Sequence, residues 1–312
     1  MSRELRIVFM GTPDFAVPTL QTLVEHNYKV VAVITAPDKP AGRGQKIQQS
    51  PVKEYAVAQG IPVLQPTNLK SEEFLQELRS YQANLQIIVA FRMLPEVVWA
   101  MPELGSFNIH GSLLPQYRGA APINWAIING EKETGVTSFF LKHEIDTGDM
   151  LFQTRVPIQE EDDFGSMYEK LKQEGARLAL RTVQAIERDA VQPQPQNTTG
   201  EIKHAPKIYK ETCQINWNQP ARQVRNFIRG LSPYPAAWTR IGDKNFKIFR
   251  TEVLENTAYP LAPGQISTDN KTFLHVQTAA GALAILDLQM EGKKRMPLQD
   301  LLRGYTFNTE QV

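Results

Sequence analysis

Apolar residues in the first half of the chain fall in short runs separated by stretches of helical period. The runs occupy residues 5–10, 30–36, 85–90, 106–109 and 135–141. Between them, 14–26, 51–59, 71–81 and 122–129 carry apolar side chains three or four positions apart, as amphipathic helices do. Runs rich in Val and Ile that alternate with helices predict a parallel sheet covered on both faces. The expected fold is α/β, with a doubly wound, Rossmann-like N-terminal domain. Residues 164–189 read as one long helix closing it, with Leu171, Leu178, Ala179 and Val183 on one side.

The pattern then stops. Residues 190–205 have no apolar period and contain Pro193, Pro195 and three glutamines, the composition of a linker. Beyond it come a helical stretch at 221–231 and short strand-like pieces at 237–241, 246–254, 264–267, 273–278 and 282–290. Short strands broken by turn residues predict a smaller OB-like β-barrel as the C-terminal domain. The expected division is 1–189, a linker at 190–205, and 206–312.

Composition narrows the class. The chain has 312 residues, 42% hydrophobic and 21% charged, as in globular proteins. No apolar run approaches the ~20 residues of a membrane span, and no signal peptide is legible, so a cytoplasmic protein is expected. Cys213 is the only cysteine, which excludes an intrachain disulfide and a multi-cysteine metal site. The histidines His26, His143, His204 and His275 show no ligand spacing, so no metal is expected. Net charge is +1, but 206–312 hold 14 basic and 9 acidic residues against 20 and 24 elsewhere. That excess points to a polyanion at the C-terminal part; chance scatter is the other reading.

Ligands of open α/β sheets bind outside the carboxyl ends of the strands. After the first run, Gly11-Thr12-Pro13-Asp14-Phe15 lacks the second and third glycines of a dinucleotide fingerprint, so no nicotinamide cofactor is expected. After the fourth comes Asn108-Ile109-His110-Gly111-Ser112-Leu113-Leu114-Pro115. Asn108 and His110 are two apart and share a strand face, where they can donate to a developing oxyanion. Asp146 follows in a later strand-end loop and can orient the imidazole or accept a proton. Satisfied loop groups and ordinary turn chemistry would use the same residue types. The loop after the second run, 37–46, is basic and glycine-containing, suited to a phosphate backbone or simply to solvent.

Taken together, these segments resemble the formyltransferase family that uses 10-formyltetrahydrofolate. The resemblance implies that Asn108, His110 and Asp146 are catalytic. It implies that the folate, a formyl-donating co-substrate, is held by Phe91, Arg92, Met93 and Leu94 and by Ser112, Leu113, Leu114 and Pro115. Lys-Pro-Ala-Gly-Arg-Gly at 39–44, Arg118-Gly119-Ala120-Ala121-Pro122-Ile123 and Gly230-Leu231-Ser232-Pro233-Tyr234-Pro235-Ala236-Ala237 look like the members that act on initiator methionyl-tRNA. For these, Lys39, Arg43 and Lys46 would contact the tRNA, and the protein would be a monomer. Two positions depart from the family pattern: Gln116, usually basic, and Arg92, often glycine. The alternatives are a formyltransferase for an amino sugar nucleotide, compatible with Asn124-Trp125, and an RNA-binding protein with an inactive enzymatic domain.

Overall fold

The apolar runs become strands and the periodic stretches become helices in a computed structural model that describes residues 3–41, 46–255, 257 and 259–308. In chain order these are β1 (Arg6–Gly11), α1 (Val17–Glu25), β2 (Lys29–Ile34), β3 (Lys39–Ala41), β4 (Lys46–Gln48), α2 (Pro51–Ala58), β5 (Val63–Leu64) and α3 (Glu72–Ser80). Next come β6 (Leu85–Val89), α4 (Glu96–Trp99), β7 (Ser106–His110), β8 (Arg118–Gly119), α5 (Pro122–Ile128), β9 (Glu133–Phe140), β10 (Met150–Pro157) and α6 (Phe164–Glu187). The rest holds β11 (His204–Ala205), α7 (Ala221–Leu231), β12 (Ala237–Ile241), β13 (Lys244–Leu254), β14 (Ile266–Thr268), β15 (Leu274–Gln277), β16 (Ala282–Met290), β17 (Met296–Pro297) and α8 (Leu298–Leu302).

Seven strands make one sheet in the order β10-β9-β7-β6-β1-β2-β5. The pairs β1–β2, β1–β6, β2–β5 and β6–β7 are parallel, and β7–β9 is antiparallel. From β1 the chain winds outward through β2 to β5, then returns to β6 on the other side of β1. The winding reverses there, which makes the carboxyl ends of β1 and β6 the topological switch point. Gly11 ends β1; a Cβ on it would lie 2.6 Å from the Ala16 Cβ and 3.0 Å from the Val89 carbonyl, so only glycine lets the two strand ends come this close. Val8, Met10, Ile34 and Ile88 share a buried cluster with Phe74, Leu75 and Leu78 of α3. The alternate residues Ile7, Phe9, Ile87 and Val89 are fully buried as well, so both sheet faces are covered. Burying each such side chain contributes about 1.5–3 kcal/mol. Strand β10 carries Gln153, Thr154 and Arg155 at the sheet edge and has no clean alternation, which hid it in the sequence.

The chain forms two compact units that interleave in sequence. One runs to Gly119 and adds Thr134–Pro157 and Tyr168–His204; the other takes Ala120–Glu133, Ile158–Met167 and everything from Ala205 on. Helix α5 belongs to the second unit. There Gly230 of α7 meets it without a side chain, since a Cβ would lie 2.6 Å from Ile128 Cγ1, and Asn124 Nδ2 donates to the Gly230 carbonyl (2.8 Å). The antiparallel sheet β12-β13-β16-β15-β14, with β17 on β16, packs Phe246, Ile248, Leu274, Leu283 and Ile285 against Val224, Ile228 and Leu231 of α7. Residues 190–205, read as a linker, are instead pinned to the first unit's loops as far as His204. Gln194 exchanges both backbone bonds with Met150 (2.8 and 2.9 Å), and Tyr117 N donates to the Lys203 carbonyl (2.6 Å). Backbone–backbone pairing of this kind needs no side-chain period, so composition could not show it. Among the described residues no helix is long and apolar enough to cross a membrane.

Candidate active site

The site forms where β7 ends. In β7, Asn108 pairs with Ile88 of β6 and Phe139 of β9, and His110 pairs with Thr137 of β9. The strand's period of two puts both side chains on one face. Asn108 Oδ1 is buried with no hydrogen-bond partner among the described residues. A buried amide oxygen left unpaired costs about 1–3 kcal/mol, so a donor from a water or a ligand is expected to meet it.

His110 is 7% exposed and its ring meets Phe139 edge-on, with centroids 6.5 Å apart. Its Nε2 lies 2.8 Å from the Tyr117 carbonyl oxygen, which can only accept, so Nε2 carries a hydrogen. The sequence left open which ring nitrogen carries a hydrogen, and this bond places one on Nε2. Nδ1 is the nitrogen left for another partner, and it donates only when the ring is an imidazolium.

Asp146 faces that nitrogen. Its Oδ2 accepts from Gly119 N (2.9 Å) and lies 3.8 Å from His110 Nδ1, too far for a direct bond. An atom between them can sit within bonding distance of both. The aspartate has φ +57°, and the turn is completed at Gly148, where a Cβ would lie 1.6 Å from the Phe140 carbonyl oxygen. The backbone there tolerates no side chain.

The loop after His110 is built inward. Ser112 is fully buried and its hydroxyl donates to the Gln116 carbonyl (2.6 Å). Leu114 N donates to Thr137 Oγ1 (3.2 Å), while Gln153 Nε2 donates to the Leu114 carbonyl (2.8 Å). Leu113 and Pro115 are half-buried, and the Leu114–Pro115 bond is cis. The Ser112 hydroxyl thus braces the loop. Gln116, one of the departures, donates to the Glu201 carbonyl (3.1 Å) and accepts from Lys203 N (2.9 Å).

After β6, Ala90 turns at φ +49°, and Phe91 and Leu94 pack against the Val8–Met10 cluster. Met93 is 72% exposed. Arg92, the other departure, spans to the 66–67 loop: Nη1 donates to the Thr67 carbonyl (3.1 Å) and Nη2 to that of Pro66. Residues 92–97 and Asn68, Leu69 and Lys70 line an open cleft of about 870 Å³. Lys39 is exposed on the β3–β4 hairpin, while Arg43 lies outside the described residues and nothing is described of the Lys46 side chain. Among the described residues no cluster of three or more His, Cys, Asp or Glu could hold a metal.

A switch-point sheet thus brings an imidazole and a carboxylate to within 3.8 Å of each other at the end of a strand whose same face carries an amide. Residues 5–183 match the family model "Formyl transferase", and 207–306 match "Formyl transferase, C-terminal domain". The chain belongs to the formyltransferase family. The methionyl-tRNA formyltransferase of Bacteroides fragilis is 58% identical over 310 residues, 97% of this chain and 95% of that protein. That of Flavobacterium johnsoniae is 50% identical over 311 residues, 98% of each. Among solved structures, WlaRD, a sugar 3N-formyl transferase, matches with TM-score 0.67 at 20% identity, covering 94% of this chain and all of that one. HypX from Aquifex aeolicus in complex with tetrahydrofolic acid matches with TM-score 0.65 at 20% identity, covering 98% of this chain and 49% of that one. These two likenesses are of fold.

Proposed function

We propose that the protein transfers the formyl group of 10-formyltetrahydrofolate to the α-amine of methionyl-tRNA, the initiator species of translation. The observation that carries the chemistry is the 3.8 Å gap between His110 Nδ1 and Asp146 Oδ2, beside a strand face that His110 shares with Asn108. The tRNA reading rests on the relatives named for that activity along nearly their whole length. Likeness to a sugar formyltransferase at 20% identity gives the amino-sugar alternative no comparable support.

In this reading the neutral amine attacks the formyl carbon and the C–N bond to folate N10 breaks. Asn108 through its amide N–H, and His110 through Nδ1–H as imidazolium, stabilise the oxyanion, each well-placed donor contributing about 3–4 kcal/mol. Asp146 accepts the proton that the attacking nitrogen loses and returns it to N10 as that nitrogen leaves. No covalent enzyme intermediate is needed. Phe91, Arg92, Met93 and Leu94, with Leu113, Leu114 and Pro115, flank the pterin, and Ser112 braces their loop. Lys39, Arg43 and Lys46, together with the basic residues of 206–312, grip the tRNA. The protein acts as a monomer in the cytoplasm, which light scattering and cell fractionation would check.

His110→Ala and Asp146→Asn are each expected to lower turnover by orders of magnitude and leave tRNA affinity and folding intact. The assay follows formylmethionine released from the aminoacyl ester after incubation with the folate donor. Turnover within a few-fold of wild type for both variants would remove the assignment.

A further inference from the structure

The segment before His204 has a polar, aperiodic sequence, yet one of its side chains is bonded into the turn that carries Asp146. Gln196 Nε2 donates to the carbonyls of Asp146 (2.8 Å) and Gly148 (2.9 Å). Gln196 Oε1 accepts from Arg118 Nε (3.1 Å) and Nη2 (2.5 Å). Two donors and two acceptors are used at once, and the fixed Arg118 fork leaves the amide a single orientation. Gln194, two residues earlier, is tied to Met150 through both backbone groups, so the glutamine stands on an anchored strand-like segment. Arg118 precedes Gly119, whose N–H holds the Asp146 carboxylate. The same side chain therefore spans the backbone of the Asp146 turn and the segment that binds its carboxylate.

The turn needs such a tie. Asp146 is a non-glycine residue at φ +57°, a conformation that costs free energy and persists only where its surroundings hold it. Its carbonyl points to Gln196 rather than along a strand ladder, and the 3.8 Å gap to His110 Nδ1 is set by where this turn lies.

We propose that Gln196 is a positioning residue for formyl transfer: through the Asp146 and Gly148 carbonyls, and with Arg118, it sets the place of the Asp146 carboxylate opposite His110. The inference rests on the reading of Asp146 as the proton acceptor.

The test is Gln196→Glu, which keeps the size and the Arg118 pairing but puts an oxygen without a hydrogen against two carbonyls. A shift of the carboxylate by about 1 Å lowers kcat by roughly 10²-fold, and KM for methionyl-tRNA and for the folate donor stays near wild type. Gln196→Met, which removes the donors without repulsion, lowers kcat less and in the same direction. In an Asp146→Asn background, Gln196→Glu lowers the residual single-turnover rate no further, because the glutamine acts through that carboxylate. Should Gln196→Glu fail to fold by circular dichroism, Gln196→Met is read the same way.

If Asp146→Asn abolishes turnover while both Gln196 variants keep wild-type kcat, the inference fails and the active-site assignment stands. The inference also fails if the Gln196 and Asp146 losses add in the double variant. Undiminished turnover of Asp146→Asn overturns the assignment and the inference together.

Discussion

Gly148→Ala puts the whole Asp146 turn under load with one methyl group. The new Cβ would sit 1.6 Å from the Phe140 carbonyl oxygen, 2.8 Å from its carbonyl carbon and 3.2 Å from Phe139 Cδ2. The first two are backbone atoms of β9, and Phe140 N is itself bonded to the Asp149 carbonyl (3.0 Å), so no rotamer change relieves the clash. Opening 1.6 Å to about 3.0 Å requires a displacement of about 1.4 Å between the turn and the strand. Forced overpacking of this kind costs about 1–3 kcal/mol of stability. Asp146 is two residues away, and a misplacement near 1 Å costs roughly 10²-fold in rate, equivalent to about 2.7 kcal/mol in the barrier. Single-turnover formylation at saturating donor, with a thermal melt on the same sample, separates the two effects. Gly304→Ala, where an added Cβ meets nothing within 4 Å, is the matched control and should behave as wild type. A Gly148→Ala enzyme that turns over within a few-fold of wild type would refute the claim that this turn sets the geometry of the carboxylate.

Two further outcomes follow from side-chain ties elsewhere. Lys53 Nζ donates to Asp38 Oδ2 (2.5 Å) and Gln65 Oε1 (2.8 Å), while Gln65 Nε2 donates to Asp38 Oδ1 (2.7 Å), closing the base of the β3–β4 hairpin. Lys53→Met removes the cation that ties Asp38 to Gln65 and should raise KM for methionyl-tRNA several-fold with donor KM unchanged, as steady-state kinetics would show. Asp269 is held below the usual carboxylate range first by the Thr272 hydroxyl and then by the backbone N–H groups of Thr272, Lys271 and Phe273. A depressed carboxylate stabilises the fold above its unfolded pKa and loses that contribution as pH falls through the folded one. Asp269→Asn should therefore flatten the acid limb of a stability-versus-pH curve, and an unchanged limb would exclude this turn as a source of it.

Part of the candidate site was legible without coordinates because its residues follow the local period of the chain. Asn108 and His110 stand two apart at a strand's end, and that alone places them on one face. The alternation of strands and helices in the first half, the change of texture after residue 190, and the failed dinucleotide loop at Gly11 are likewise properties of neighbours in sequence. What tertiary structure decided lies in contacts between distant segments, many of them made by backbone atoms that carry no residue identity. The Tyr117 carbonyl places a hydrogen on His110 Nε2, and the Gly119 N–H orients Asp146. Gln196 reaches back 50 positions to the Asp146 turn. The Ser112 hydroxyl donates to the Gln116 carbonyl four residues on, a bond set by how the loop folds. The physical reason is the same throughout. A buried carbonyl or N–H must find a partner, and which partner it finds depends on which loop packing brings within about 3 Å, a distance that no spacing along the chain encodes.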